Sequence, residues 1–453
     1  MNLHAMLLER EAAGRPVRVA LIGAGKFGTM FLAQARSTRG LHVLAVADLD
    51  VGRALRQLRT AGWDEQAISA PSLGDALKRA RMHVTADAEA LIGFPDIDVI
   101  VEATGVPAAG IRHALAAIAH GKHVVMVNVE ADALAGPLLA RKARQAGVLY
   151  SLAWGDQPAL ICEHVDWART CGFTVVAAGK GTRYEPHYHR STPETVWDIL
   201  DKYLSIADRN SINPKMFNSF IDGSKSGIEM SAVCNATGLV PQSTGLTFPP
   251  ATRFELAQVC KPRSAGGALE KAGVTEVVSS VHRDGRDVAH HLALGTYVVF
   301  EGDGDYARQC FKEYAMLPDD SGRYAALYRP IHMIGRELGV SIASVALRKE
   351  PTGAPTGFRS DVAATAKRAL KRGEVLDGEG GFCVWGKQVP AERSLAQGLL
   401  PLGLAHAVTL VRDVGEGECL RWSDVACDAD DVAVKTRREM EAAFGRLRSV
   451  ESA

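Results

Sequence analysis

The stretch Val17–Gly28, VRVALIGAGKFG, decides the fold of this 453-residue chain. Its first half, Val17 to Ile22, is a short continuous apolar run of the kind that a buried parallel strand needs. Its second half is a G-x-G-x-x-G turn, and a helical pattern over Thr29–Ser37 follows it. A strand, a glycine-rich turn and a helix in this order predict the first β-α-β unit of a doubly wound sheet.

The same alternation continues beyond this unit. A second strand is predicted over Leu41–Ala47, ending at Asp48, and further apolar runs that read as strands are Val99–Val101, His123–Val127 and Val148–Leu152. Helical patterns separate these runs, as in a parallel sheet with helices on both faces. We therefore predict an α/β fold whose first domain, residues 1–155, is a Rossmann domain with a doubly wound parallel sheet.

The glycine turn is suited to a dinucleotide. Gly23 permits the tight turn, Gly25 lets the backbone approach a pyrophosphate, and Gly28 lets the helix pack closely on the strand. Asp48 ends the second strand at about the spacing expected of a residue that binds the ribose hydroxyls of NAD, whereas Arg53 would suit the 2′-phosphate of NADP. The alternative, a glycine turn without a ligand, has to be weighed against this prediction.

Other residues are assigned to the same predicted cofactor site. They lie in the turn itself or where later strands end, at the carboxyl edge on which doubly wound folds bind their ligands. They are Lys26 and Phe27 in the turn, Ala103, Thr104 and Gly105 after one strand, and Asn128 after the next. Ordinary turn chemistry at strand ends is the alternative for the second group.

Composition limits the class of protein. Lys plus Arg equals Asp plus Glu, at 52 each, so there is no electrostatic case for nucleic acid or an anionic membrane as a partner. No apolar run approaches the ~18 residues of a membrane span, and the N-terminal residues have no apolar signal core. The eight cysteines form no CxxC pair. We expect a cytoplasmic enzyme.

The pattern changes after the first domain. Residues 156–348, with strands at Phe173–Ala177 and Val274–Val281 among helices, are predicted to be an α+β catalytic and dimerisation domain. A helical pattern covers Tyr328–Leu347, and residues 349–360, rich in Pro and Gly, are predicted to be a linker. Residues 361–453 would form a small third domain, with helices over Val362–Lys371 and Val434–Leu447.

One segment of the middle domain, residues 178–190, concentrates cationic side chains directly after a predicted strand. These side chains are Lys180, Arg183, His187, His189 and Arg190, with a glycine on each side of the lysine. This composition is typical of a loop that grips a phosphate or carboxylate. The two histidines of the HxH pair are also possible metal ligands, although no third ligand is evident.

A second segment, residues 222–235, is predicted to be helical from Lys225 onward. Lys225 and Glu229 would then share one helix face, where an ammonium and a carboxylate can polarise a carbonyl and move a proton. A solvated surface pair is the alternative, but the neighbouring Gly, Ser, Ile, Met, Ala and Val residues indicate partial burial. We assign catalysis to Lys180, Lys225 and Glu229, and a substrate contact to Asn235.

Nearly the whole chain resembles the homoserine-dehydrogenase-like oxidoreductases that carry a C-terminal SAF domain. The segments that carry the resemblance are VRVALIGAGKFG, VIVEATGVP, VVMVNVEAD, AAGKGTRYEPHYHRSTPETVWD, FIDGSKSGIEMSAVCNATGL and LYRPIHMIGRELG. KRGEVLDGEGG and GLLPLGLAHAVTLVRDVGEGECLRWSDVA look like the SAF module, a small β-rich domain. Within this group the chain looks most like the 1-deoxy-D-xylulose 5-phosphate reductoisomerase-like enzymes of isoprenoid precursor synthesis.

One departure argues against homoserine as the substrate. Homoserine dehydrogenases have an Asn-Lys pair after the equivalent strand, where this chain has Asn128-Val-Glu130. The resemblance then implies conversion of 1-deoxy-D-xylulose 5-phosphate to 2-C-methyl-D-erythritol 4-phosphate with NADPH, with NADH as the alternative. It also implies that Arg183, His187 or His189 lies near the substrate phosphate.

The resemblance implies a homodimer, and the chemistry suggests Mg²⁺ or Mn²⁺, for which the sequence has no clear carboxylate cluster. Two alternatives stay open at this stage. One is an NAD(P)-dependent dehydrogenase or oxidoisomerase of a sugar acid or semialdehyde, and the other is a non-catalytic NAD(P)-sensing protein.

Overall fold

The computed structural model describes residues 2–202 and 213–451, with side chains as far as residue 445. The chain divides into two compact units: Met1–Leu160 with His332–Thr356, and Ile161–Ile331 with Gly357–Ala453. This grouping differs from the predicted succession of three domains, because residues 332–356 return to the first unit and the C-terminal residues group with the middle of the chain. Each unit is described by itself.

A parallel sheet forms the centre of the first unit. Its described strands are β1 (Val17–Ile22), β2 (Leu41–Ala47), β3 (His83–Thr85), β4 (Val99–Glu102), β5 (His123–Met126) and β6 (Tyr150–Leu152). Their order is β3-β2-β1-β4-β5-β6, and every neighbouring pair is parallel. This order is that of a doubly wound dinucleotide-binding sheet. The predicted Rossmann fold is confirmed.

Helices connect these strands in chain order. They are α1 (Leu3–Ala12), α2 (Lys26–Ala35), α3 (Val51–Thr60), α4 (Leu73–Arg79), α5 (Ala88–Gly93), α6 (Pro107–Ala119) and α7 (Val129–Gln145). Phe31 and Leu32 of α2 and Leu58 of α3 are buried in one cluster with Leu21 of β1 and Val101 of β4. Ala20 and Ile100 point to the opposite face and are also buried, so both faces of the central strands are covered and these strands read as continuous apolar runs.

A buried acid links α7 to the edge strand β6. The Tyr150 hydroxyl donates a hydrogen bond of 2.8 Å to Asp132 Oδ1, and the Asp132 side chain has no exposed surface. Burial raises the pKa of Asp132 to about 7, because the hydrogen bond from Tyr150 only partly offsets the loss of water. The protonated acid is therefore favoured in the folded protein well above the pH at which a free aspartate ionises.

The second unit is built on a mixed sheet. Its described strands are β7 (Thr174–Thr182), β8 (Val274–Ser279), β9 (Thr296–Glu301) and β10 (Tyr324–Arg329), in the order β10-β9-β7-β8. The β7–β8 pair is parallel and the other pairs are antiparallel. The helices of this part are α8 (Gln157–Thr170), α9 (Val196–Leu200), α10 (Pro214–Ile221), α11 (Ser224–Thr237), α12 (Leu256–Val259) and α13 (Gly304–Glu313).

Strand β7 is longer than the predicted Phe173–Ala177, and this changes the interpretation of the segment after it. Lys180 lies inside the strand and not on a loop. The two flanking glycines are needed for close packing, because a Cβ atom at Gly179 would overlap the Glu276 carbonyl group and one at Gly181 would overlap that of Leu292. The glycines therefore do not make an anion-binding loop.

The helix predicted over Tyr328–Leu347 is largely wrong. The segment begins as β10, and regular helix starts only at α14 (Gly339–Ala343). The intervening Pro330 lacks an amide donor, and Gly335 adopts a positive φ of 74°, both of which interrupt a helix.

The part of the predicted linker that returns to the first unit is held by hydrogen bonds. Thr352 N–H donates to Ser151 Oγ at 3.0 Å and Leu152 N–H donates to the Gly353 carbonyl at 2.7 Å. Arg144 also donates to the Pro355 carbonyl at 3.0 Å. Residues 352–355 thus extend the first unit beside β6 and are not a free linker.

The C-terminal part is β-rich, as predicted, but it begins with a strand and not with a helix. Its described elements are β11 (Ser360–Ala366), β12 (Val375–Asp377), β13 (Val384–Pro390), α15 (Ala391–Gln397), β14 (His406–Leu410), β15 (Val425–Ala426) and α16 (Val432–Glu451). Strand β11 pairs with β13 in antiparallel register and is buried along its whole length. The alanines and basic residues around it favour a helix locally, and tertiary pairing overrides that preference.

Helix α11 and helix α16 anchor β11. The Asn235 side chain accepts hydrogen bonds from the N–H groups of Arg359 at 2.7 Å and Ser360 at 3.1 Å. From the other helix, Arg437 forms a buried ion pair with Asp361. The C-terminal β-rich part is therefore tied by polar contacts to the rest of the second unit.

Within the described residues, no helix combines the length and the apolar character that crossing a bilayer requires.

The raised pKa of Asp132 predicts how the stability of the protein depends on pH. Between the unfolded value near 4 and the folded value of about 7, the folded state binds the proton more tightly, so this residue makes stability fall as pH rises. Asp132→Asn should remove up to about 1.4 kcal/mol per pH unit of that decline. Urea unfolding at several pH values across the window measures it.

Exposed Asp166, changed to Asn, is the control and should leave the pH dependence as in the wild type. A decline that is equally steep with and without the Asp132 carboxyl group would show that this acid ionises normally in the folded protein.

Candidate active site

The loop between β1 and α2 requires glycine at two positions. Gly23 has a φ of +99°, and a Cβ atom there would lie 2.6 Å from the Ala103 carbonyl oxygen. A Cβ atom at Gly28 would overlap the Gly23 carbonyl oxygen. The loop thus folds back tightly on the sheet, and α2 begins directly after it at Lys26.

The middle glycine of the loop has a different environment. A Cβ atom at Gly25 would meet nothing within 4 Å, so the backbone borders open space there. The first turn of α2, which includes Lys26 and Phe27, has N–H groups without acceptors inside the helix. Together with the positive end of the helix dipole these groups fit the pyrophosphate of a dinucleotide. The residues therefore suit NAD(P).

Asp48 is already engaged by protein groups. Its Oδ2 accepts the Ala24 N–H at 2.8 Å and its Oδ1 accepts the Asp50 N–H at 2.9 Å. Arg53 also pairs with both carboxylate oxygens, at 2.7 and 2.9 Å, and about half of its side chain is exposed. Asp48 thus holds the glycine loop in place and presents a cation, Arg53, at the edge of the site.

The remaining predicted cofactor residues surround the end of β4. Glu102 is buried and accepts the Thr104 hydroxyl at 2.6 Å. Asn128 donates to the Val106 carbonyl at 3.0 Å and accepts the Ala131 N–H at 3.1 Å, which caps α7. The loop that contains Ala103, Thr104 and Gly105 is therefore shaped by Glu102 and by Asn128, which is almost completely buried.

In the second unit, Lys180 and Glu229 form a buried ion pair. Lys180 projects from β7 and Glu229 from α11, and only 4% and 2% of their side chains are exposed. Sequence analysis paired Glu229 with Lys225, one turn earlier on the helix. Lys225 is half-buried instead, with its ammonium 5.9 Å from the centre of the Phe220 ring. The ammonium partner of the Glu229 carboxylate is therefore Lys180 of the sheet and not Lys225 of the same helix.

The sheet places three more polar residues near this pair. Thr296 of β9 lies directly opposite Lys180, and Arg329 of β10 lies opposite Thr296, so the three side chains share one face of the sheet. His164 of α8 shares a hydrogen bond of 3.0 Å with the Thr296 hydroxyl. Burial lowers the pKa of His164 to about 4, and the charge of Arg329 acts in the same direction. The imidazole is therefore neutral at pH 7.

Sequence analysis missed His164, Thr296 and Arg329. His164 is inside an ordinary amphipathic helix, and Thr296 and Arg329 belong to strands that were not predicted. Only the register of the sheet brings Thr296 and Arg329 next to Lys180, and a local sequence pattern does not contain that register.

Of three predicted substrate-binding cations, His187 and Arg190 lie on the surface and Arg183 is mostly buried. Arg183 forms an ion pair with Asp287 at 2.8 Å, and Arg190 pairs with Glu416. About two thirds of the His187 side chain is exposed, with its Nδ1 3.8 Å from Glu185. Each of these three side chains thus has a carboxylate neighbour other than Glu229.

His189 and Asn235 are engaged inside the second unit. His189 shares hydrogen bonds with the Asp222 carbonyl at 2.7 Å and the Tyr184 hydroxyl at 3.0 Å, and its ring stacks on Trp385. Burial lowers the pKa of His189 to about 4, so it carries no charge for a phosphate at pH 7. Asn235 holds the main chain at the start of β11, as described above.

The described residues do not fit a divalent metal. No three His, Cys, Asp or Glu side chains among them come together as a metal-binding group. The pair His187 and His189 is divided between the surface and the interior, and the ring nitrogens of His189 are occupied. No step of the chemistry below is routed through a metal.

Two family models match the chain. Residues 23–152 match the model described as homoserine dehydrogenase, NAD binding domain, and residues 155–338 match the one described as oxidoreductase DRL, catalytic domain. The second range includes the Lys180 cluster, which consists of His164, Lys180, Glu229, Thr296 and Arg329. The protein is an oxidoreductase with an NAD(P)-binding domain. No curated protein sequence matches it.

Solved structures resemble the chain only distantly. A putative oxidoreductase from Klebsiella pneumoniae is 19% identical, with a TM-score of 0.36, over 75% of this chain and 88% of that one. Dihydrodipicolinate reductase from Paenisporosarcina sp. TG-14, with dipicolinate bound, is 13% identical, with a TM-score of 0.34, over 73% and 95%.

Biliverdin reductase from Synechocystis sp. PCC 6803, in complex with biliverdin and NADP⁺, is 20% identical, with a TM-score of 0.26. This match covers 38% of the present chain and 48% of the reductase, which is about half of its length. Similarities this weak carry no argument about function.

The exposed cation beside Asp48 predicts a preference between the two dinucleotides. We expect Arg53→Gln to raise the Kd for NADPH at least tenfold and to change the Kd for NADH less than threefold, because a guanidinium suits the 2′-phosphate that only NADPH carries. Fluorescence titration of the full-length protein with each nucleotide measures both constants.

The control is Arg59→Gln, which should change neither constant. Arg59 lies in the last turn of the same helix as Arg53 and pairs with Glu65. Equal weakening of NADH and NADPH by the Arg53 substitution would mean that the guanidinium does not contact the 2′-phosphate.

Proposed function

We propose that the protein is an NAD(P)-dependent oxidoreductase that interconverts the carbonyl and hydroxyl forms of a small anionic substrate, such as a sugar acid, a semialdehyde or a phosphorylated sugar. The observation that carries the proposal is the buried Lys180–Glu229 ion pair, which shares a face of the sheet with Arg329. The two matched family descriptions support the reaction class.

The ion pair supplies the proton chemistry. The nicotinamide ring, when bound, supplies or accepts the hydride. The substrate oxygen gains or loses a proton in the same reaction, and an ammonium at this position is an efficient acid. Glu229 pairs with Lys180 in a buried site, where a charge acts on a carbonyl oxygen far more strongly than it does in water.

Arg329 supports the anionic character of the substrate. It lies two strands from Lys180 on the same face, with Thr296 between them. A guanidinium has a planar fork of donors that matches a carboxylate or phosphate. We propose that Arg329 binds the anionic end of the substrate while Lys180 faces the carbonyl group.

The narrower candidate is a reductoisomerase that converts 1-deoxy-D-xylulose 5-phosphate to 2-C-methyl-D-erythritol 4-phosphate with NADPH. The specific observation in its favour is that one buried site holds both a carboxylate and an ammonium. The rearrangement needs a base that takes a hydroxyl proton as the carbon skeleton migrates, and reduction of the new aldehyde needs an acid. Glu229 and Lys180 would fill these two roles, with Lys225 near the ketone.

We also propose that the protein is a cytoplasmic homodimer and that its C-terminal part is a SAF domain. The dehydrogenase reading needs only the residues described above, whereas the reductoisomerase reading also rests on the resemblance of the sequence segments.

Removing the ammonium tests the assignment. Lys180→Met should lower kcat/KM at least a hundredfold, about 2.7 kcal/mol of transition-state stabilisation, because the substrate oxygen loses its proton donor. Since a lone buried carboxylate also destabilises a protein, the double variant Lys180→Met/Glu229→Gln should be equally inactive while it recovers thermal stability.

The matched control is Lys261→Met, which breaks another buried ion pair of the second unit, with Asp319 at 2.7 Å. It should cost stability and leave kcat/KM within threefold of the wild type. Comparable losses of activity in the two single variants would assign Lys180 to structure and remove it from the chemistry.

Product analysis separates the two candidate reactions. Purified protein with NADPH and 1-deoxy-D-xylulose 5-phosphate should oxidise the nucleotide and yield 2-C-methyl-D-erythritol 4-phosphate, identified by NMR and mass, if it is the reductoisomerase. Turnover of sugar acids or semialdehydes without skeletal rearrangement would support the dehydrogenase. Tight binding of nucleotide with no turnover of any of these compounds would instead support a non-catalytic sensor.

A further inference from the structure

A cavity of about 730 Å³ opens in the C-terminal β-rich part of the second unit. Lys387 of β13 and Arg393 of α15 line it, together with Arg412 and Arg421 from the segments around β14 and β15. Its size is within the range of small-molecule sites. Its lining is mostly polar and contains only two acidic residues, Glu418 and Asp424.

Both acids contact the same cation, Arg412. Arg412 donates to both oxygens of the buried Asp424 carboxylate, at 2.6 and 2.9 Å, and lies 3.8 Å from Glu418. The described part of the chain gives no ion pair to Lys387, Arg393 or Arg421. Arg393 has only neutral acceptors, the Gln397 side chain and the Ser243 carbonyl, each at 3.4 Å.

Four cations against two carboxylates leave an excess of two positive charges on one concave surface, which raises the local positive potential and attracts anions. A phosphate monoester carries nearly two negative charges at pH 7 and offers three oxygens that guanidinium groups bind well. The charge and the donor set therefore match a phosphate ester better than a neutral polar molecule.

This cavity lies apart from the candidate active site. Along β13, the Gly386 N–H donates to the Ser224 hydroxyl of α11 at 2.8 Å, and the Gln388 side chain donates to the Thr275 hydroxyl of β8 at 3.2 Å. Successive side chains of a strand point to opposite faces, so Lys387 points away from α11, the helix that carries Glu229.

We propose that this cavity is a second ligand site, which binds a small phosphorylated metabolite through Lys387, Arg393 and Arg421. The site is independent of the proposed reaction, since none of its residues belongs to the Lys180 cluster.

Calorimetric titration of the full-length protein with D-ribose 5-phosphate tests the proposal, with saturating NADPH present to fill the dinucleotide loop. Wild-type protein should bind the ester, and the double variant Arg393→Gln/Arg421→Gln should bind it at least tenfold more weakly. Neutral D-ribose should not bind, whereas inorganic phosphate should bind at the same site, because the proposed contacts are made to the phosphate.

Two further variants make the result specific. Arg372→Gln removes an exposed arginine of the same β-rich part that does not line the cavity, and it should bind as the wild type does. Arg329→Gln, in the candidate active site, should also retain binding. The proposal is overturned if neither phosphate compound binds wild-type protein, if the double variant binds normally, or if Arg329→Gln alone abolishes binding.

Discussion

The ion pair between Lys180 and Glu229 is the interaction on which the second unit depends. Moving two charges out of water costs several kcal/mol for each ion, and the attraction between them repays this only when the geometry is good. The chain retains both charges where an apolar pair of similar volume would pack as well. The ion pair fixes α11 against β7 and keeps an ammonium in the interior, and so links the packing of this unit to its proposed chemistry.

Helix α11 then serves as the support for the C-terminal part. Gly227 on the helix permits close approach to the Gly386 carbonyl, which a Cβ atom would meet at 2.7 Å. Asn235 binds the main chain at the start of β11, and Ser224 binds Gly386. The same strand that packs on α11 carries Lys387 on its opposite face. The candidate active site and the proposed phosphate site are therefore built on two sides of one strand.

The first unit uses steric constraint where the second uses charge. Its loop folds back because Gly23 and Gly28 have no side chains, and Asp48 then holds the loop through the Ala24 N–H. The carboxylate that sequence analysis assigned to the ribose is thus engaged by the loop and by Arg53. Because Arg53 of α3 pairs with Asp48, the choice between NAD and NADP depends on Arg53 as much as on Asp48.

The sequence by itself determined the central strands and the glycine loop of the first unit. Its strands are buried on both faces and read as apolar runs, and its glycine loop obeys local sterics, so β1 and β2 were predicted to the residue. Only the tertiary structure decided the second unit, because its key contacts join residues far apart in the chain. Sheet register and burial bring Lys180 to Glu229 and place Thr296 and Arg329 on the same face as Lys180. They also make a strand, β11, of residues that favour a helix locally. A local sequence pattern contains neither the sheet register nor the burial of these residues, because a residue's partner across a sheet depends on how the whole chain folds.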